Sequence, residues 1–117
     1  MAAGKLNRRV HAQKRGDLSD GWGGVTPGAG EFETQFTVAA EFRPMRGGEA
    51  VIAARLTGKQ PYVVRVRNAA TTRAIRHDWR LVDARTNEVL ELRSPVHDPD
   101  GKRAWLEFVV EAETPNG

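Results

Sequence analysis

The sequence predicts an all-β fold, a small antiparallel β-barrel or sandwich of about six strands with a long excursion between the second and third. Three observations carry this reading. Apolar residues recur at every second position over several runs, the period of a strand with one buried face. The runs are joined by turn chemistry: in HDPDGK, Asp98, Pro99, Asp100 and Gly101 follow the order of a tight turn. The one stretch that abandons the period, Ala50–Leu56, is too short for a self-supporting helix.

The elements follow in order. Leu6, Val10 and Ala12 are the apolar beads of a short first strand within residues 1–16, which hold five basic residues and no acid. Residues 16–30 read as loop, with five glycines between Gly21 and Gly30 and Pro27 among them. Trp22 inside that loop is expected to plug the edge of the core. Phe32 to Phe42 is the long second strand, its even positions apolar. Pro44 and Gly47-Gly48 end it, and the excursion 44–60 follows. Tyr62, Val64 and Val66 give the third strand, with Arg65 and Arg67 on its other face. Residues 68–78 fit either a loop or a helical turn. Trp79–Val82 and Val89–Val96 are strands about a turn at Arg85–Glu88. The last strand, Ala104–Ala112, has Leu106, Phe108, Val110 and Ala112 on one side.

At 117 residues the chain is expected to form one domain, spanning 1–117, with one core. Without cysteine it has neither disulfides nor thiolate metal ligands. No apolar run nears the length of a membrane span, and the N-terminus lacks a signal-peptide core, so a soluble intracellular protein with no membrane partner is expected. The net charge of +3 conceals an asymmetry. Residues 1–80 carry 14 Lys/Arg against 7 Asp/Glu, and residues 81–117 carry 4 against 8. Arg makes up 14 of the 18 basic residues, which favours interfaces and equally fits a GC-rich genome. A two-signed chain suits a subunit whose opposite faces meet different neighbours, or a merely solvated surface.

No catalytic, cofactor or metal constellation emerges. His11, His77 and His97 fall on separate elements, and the His97–Asp100 stretch lacks the ligands of a calcium loop. Gly58-Lys59-Gln60 fails as a phosphate loop, because the hydroxyl after Lys is missing. Ser19 and Ser94 have no nucleophile context, and Glu31/Glu33 and Glu111/Glu113 alternate as solvated faces do. The basic stretch 55–80 is the stronger signal. Arg65 and Arg67 share a strand face, and with Arg73 and Arg76 they are candidates for DNA or inter-subunit contact. A single-strand binder would interleave aromatics there, whereas Val63 is their neighbour and Tyr62 points away.

Both ends of the chain resemble the phage head–tail joining family, the head-closure or stopper proteins of long-tailed phages and gene transfer agents. AAGKLNRRVHAQ fits the family's opening at Gly4, Leu6, Arg9, Val10 and Gln13, and Asp20 with Gly23-Gly24 fits its next loop. RPMRGGEA supplies Pro44, Gly47 and Glu49, and the closing stretch follows the family outline through Asp100, Trp105 and Leu106. One departure is Ala39-Ala40-Glu41-Phe42, where the family commonly has a Trp-Ala pair.

The resemblance implies a small β-barrel assembled as a ring of about twelve copies. Such a ring sits in the neck of a virion or virus-like particle put together in the host cytoplasm. Its partners would be a portal-adaptor ring, the tail terminator or tail tube, and packaged double-stranded DNA in the channel. The excursion would then be a channel gate: Arg46, Gly47, Gly48, Glu49, Val51, Ile52, Arg55, Leu56 and Lys59. Gly47-Gly48 would be its hinge. Val51, Ile52 and Leu56 would find apolar partners only when neighbouring subunits approach. The competing local reading is a helical turn lying on its own barrel, with Ile52 and Leu56 one turn apart as its stripe. A small-barrel nucleic-acid-binding module is the alternative function.

Overall fold

The computed structural model describes residues 8–45 and 48–113, with Glu49, Ala50 and Glu113 described as backbone only. Six strands form the wall: β1 (Arg8–Arg15), β4 (Phe32–Pro44), β5 (Lys59–Arg67), β6 (Arg80–Asp83), β7 (Val89–Leu92) and β8 (Trp105–Glu113). Two-residue strands β2 (Leu18–Ser19) and β3 (Val25–Thr26) pair only with each other. One helix, α1 (Glu49–Leu56), lies in the excursion between β4 and β5. The wall runs β1-β4-β5-β8-β7-β6 and closes, because β6 pairs back onto β1 through Val10↔Asp83 to Gln13↔Arg80. All pairings are antiparallel, as the sequence period predicts.

Alternation fills the interior. Leu106, Phe108, Val110 and Ala112 of β8 point inward, opposite Val64 and Val66 of β5, with Leu81, Leu90 and Leu92 completing the ring around them. Burying a side chain of this size contributes roughly 1.5–3 kcal/mol. A tight 3₁₀ turn, Thr72–Ala74, sits at one open end, settling the ambiguity of 68–78. The Thr72 hydroxyl accepts from the Ala69 N–H at 2.9 Å and donates to the Arg67 carbonyl at 2.7 Å, so this polar residue is buried with its bonds made.

Three expectations are corrected. Trp22 is no plug: it is 92% exposed, and the core is stoppered by Trp79, whose ring lies 6.1 Å from that of Phe36. The loop 16–30 is an ordered hairpin. The strand predicted over Val89–Val96 stops at Leu92; beyond it the Arg93 N–H donates to the Val109 carbonyl at 2.7 Å, the Ser94 hydroxyl accepts the Val109 N–H at 2.8 Å, and His97↔Glu107 forms an isolated bridge. Pro95 lacks the N–H that a ladder needs. Leu6 lies outside the described residues.

The wall has two distinct ends. Arg15↔Phe32, Gln13↔Arg80 and Arg67↔Trp105 mark one, from which the hairpin and the loops 68–79 and 93–104 depart. Pro44↔Tyr62, Lys59↔Glu113 and Val82↔Val89 mark the other, which carries α1 and the turn 84–88. Strands β4, β5 and β8 each run from one end to the other, and β4, the longest at 13 residues, joins the hairpin to the excursion.

Candidate functional site

The excursion at the second end is built by local bonds. The Met45 N–H donates to the Pro61 carbonyl at 3.0 Å, extending the strand pair past Pro44. Gly48 then takes φ +78°, the left-handed region where a side chain strains the backbone, and its carbonyl accepts the Ile52 N–H at 3.2 Å. At the far end the Thr57 N–H reaches the Ala53 and Ala54 carbonyls, its hydroxyl donates to the Ala54 carbonyl, and Gly58 turns the chain out at φ +81°. Arg55 fastens the helix to both flanking strands, donating to the Met45 carbonyl at 3.2 Å and to Gln60 Oε1 at 3.3 Å. Lys59 is half-buried and opens β5 opposite Glu113.

Helix α1 therefore forms, yet the stripe predicted for it does not lie on the barrel. Ile52 is 54% exposed and Leu56 82%. Val51 alone of the three departs from the expectation that they wait for neighbouring subunits: it is 6% exposed within its own chain. Arg46 and Gly47, and the side chain of Glu49, lie outside the described residues.

The turn beside this end is electrostatically set. Burial pushes the Asp83 carboxyl up, but N–H donors from Thr86 and Arg85 and the Arg8 guanidinium outweigh it, and the group sits below its usual range. Those N–H groups lie 2.9 and 2.8 Å from Asp83 Oδ1, with the Arg8 guanidinium at 3.9 Å from Oδ2. Arg8 also lies over the Phe42 ring at 4.7 Å.

The basic strand face is less free than its sequence implies. Arg65 does share a side with Arg67, but cross-strand register sets it opposite Glu107. Its Nε and Nη2 donate to Glu107 Oε2 at 2.9 and 2.6 Å, and Arg43 adds a third donor at 3.0 Å. Arg67 is left to stack on Trp105, 5.0 Å from its ring centroid. Spacing within β5 revealed no aromatic on this face. Trp105 arrives from β8, and only the pairing register could have found it. Arg73 is exposed and donates to Asn68 Oδ1 at 2.8 Å. Arg76 is exposed beside Ile75, on the rim of a groove at the first end. Arg65 is thus engaged by Glu107, Arg67 by Trp105 and Arg73 by Asn68. Among the described residues no three His, Asp or Glu side chains come together as a metal would need.

Two solved structures share this fold. A chain from the virion of a native gene transfer agent particle is 21% identical, with a TM-score of 0.60 over 92% of this chain and 94% of that one. Protein SF1141 from Shigella flexneri 2a is 20% identical, with a TM-score of 0.65 over the whole of both. No curated protein sequence matches. The sequence profile of the phage head completion proteins, however, matches residues 1–113. The match takes in the basic first strand, the excursion and the last strand alike, and the chain therefore belongs to the phage head completion protein family, structural components of the virion.

Proposed function

We propose that this chain is the head-closure subunit, or stopper: a ring of about twelve copies that seals the DNA-filled head and docks the tail. The ring would lie in the neck between a portal-adaptor ring and the tail terminator or tube. Membership of the head completion family supports a structural role in finishing the head. One observation carries the finer reading, namely a helix fastened by Arg55, with Val51 buried, while Ile52 and Leu56 are exposed at one end. Copies arranged around an axis with that end inward would bring these side chains together across the bore. An apolar constriction needs no contact with particular bases, so it holds any packaged sequence.

The test is electron microscopy of particles from a producer lacking the gene. Tailless heads, many emptied of DNA, beside unjoined tails are expected. Normal joined particles would sink the reading.

A second reading, a nucleic-acid-binding module, is favoured by the pairing of Arg67 with Trp105, a cation beside an aromatic platform. The engagement of Arg65 by Glu107 weighs against it. It requires that the free protein bind DNA with an affinity falling steeply with log salt. No binding at low salt removes it.

A further inference from the structure

The hairpin at the first end is tied to the wall at its base, where Arg15 Nη1 donates to the Gly30 carbonyl at 3.0 Å, and its tip is braced by its own bonds. The Asp20 carboxylate accepts the N–H groups of Trp22 and Gly24 at 2.7 and 3.0 Å, and the Asp20 N–H returns to the Gly24 carbonyl at 3.1 Å. The result is a fixed loop that presents Trp22 at 92% exposure, with Leu18 and Val25 more than half exposed beside it. A Trp side chain presented to water from a bonded loop is the kind of residue that dominates protein contacts once covered. The hairpin also carries an unusual charge. Residues 16–30 contain Asp17 and Asp20 and no Lys or Arg, inside the stretch 1–80, which has twice as many bases as acids.

A groove of about 400 Å³ opens at the same end of the barrel. Its floor is apolar, from Ile75, Val96 and Leu106, and Arg73 and Arg76 stand on its rim. The one acid there, Asp98, turns its carboxylate onto the N–H groups of Gly101 and Arg103 at 3.0 and 2.8 Å. An acidic hairpin bearing an aromatic thus shares one end of the molecule with a basic groove with an apolar floor. No hairpin residue lines that groove.

We propose that the hairpin of one copy seats Trp22 in the Ile75–Val96–Leu106 groove of the next copy. This rests on the ring reading above and supplies its lateral contact. Charge selects this arrangement over hairpin against hairpin, which would bring Asp17 and Asp20 onto their own counterparts. Radius selects it over hairpin against α1: with the α1 end turned toward the bore, the hairpin lies at the outer end of each copy, and the groove shares that end whereas α1 does not. Such a contact is head-to-tail, the type that generates rings when its rotation closes.

A chain without cysteine makes the test clean. Thr26→Cys on the hairpin and Ala74→Cys beside the groove are both exposed positions. Particles from a gene-deleted producer supplied with the full-length double variant are treated with a short bismaleimide. A ladder of linked copies is expected, with no self-linking by either single variant. Trp22→Ala, which has no core contact to lose, should unfold at the wild-type midpoint yet yield at least tenfold fewer joined particles, as should Arg76→Glu. Self-linking by Thr26→Cys alone, its linkage to a different virion protein, or full yield of joined particles with Trp22→Ala each overturns the docking while leaving the ring reading intact. Normal particles in the absence of the gene would instead overturn the ring reading itself.

Discussion

Phe108 and Leu56 are both large apolar side chains, but the fold treats them oppositely. Phe108 has no exposed surface and touches residues from around the wall, whereas Leu56 keeps 82% of its surface in water. The wall solves its own hydrophobic problem and the two excursions do not. Apolar residues left out at both ends, Trp22 at one and Ile52 and Leu56 at the other, are what a subunit finished by its neighbours would display. Stability and function should therefore separate along this line.

The sharpest way to break the comparison is Phe108→Ala, which should cost about 3–5 kcal/mol by leaving a cavity where the wall cannot collapse. Urea unfolding of the free protein measures it, and a loss below 1 kcal/mol would mean the wall is not the stable unit. Next is Glu107→Ala. It strands Arg65, whose guanidinium is mostly shielded, and should cost about 1–3 kcal/mol. The more exposed Arg43 should matter much less, so Arg43→Ala serves as the control.

Asp83→Asn probes the turn beside α1 and should cost on the order of 1 kcal/mol at neutral pH. Because the folded carboxyl titrates below the ordinary Asp value near 3.9, its contribution is complete above that value and is lost as pH falls through the lowered one. The gap between wild type and variant, followed by urea midpoints from pH 7 to pH 3, should close from about pH 4 downward. The smallest effect is Leu56→Ser, within about 0.5 kcal/mol of wild type. Its particles, by contrast, should leak DNA. A large stability loss at Leu56 would return the helix to the barrel and erase the distinction.

Sequence period reached the wall almost completely, since alternation in a closed sheet is a local property written along each strand. The inward sets of β5 and β8 are legible as Val64, Val66, Leu106, Phe108, Val110 and Ala112. What depends on pairing was hidden. The capture of Arg65 by Glu107 and the meeting of Arg67 with Trp105 are facts of register between strands some forty residues apart. Trp79, read only as the start of a strand, takes the plugging role expected of Trp22 for a related reason. Both sit next to turns, and only the path of the chain across the barrel mouth decides which one covers it. The excursion was half legible. Ile52 and Leu56 are exposed, while Val51, read together with them, is buried within its own chain.

Strand β4 has a mechanical consequence. Along its 13 residues, roughly 40 Å of extended chain, it trades partners, pairing with β1 through Ala40 and with β5 from Glu41. The hairpin hangs from its first residues and α1 from its last. If neighbours grip the one and packaged DNA presses on the other, the load runs as tension through a single ribbon of backbone. The ladders on either side are then loaded in shear, with many hydrogen bonds sharing the force at once instead of opening one after another. A strut of this kind resists a steady push with little give, and it places the grip and the lid at the two ends of one continuous element.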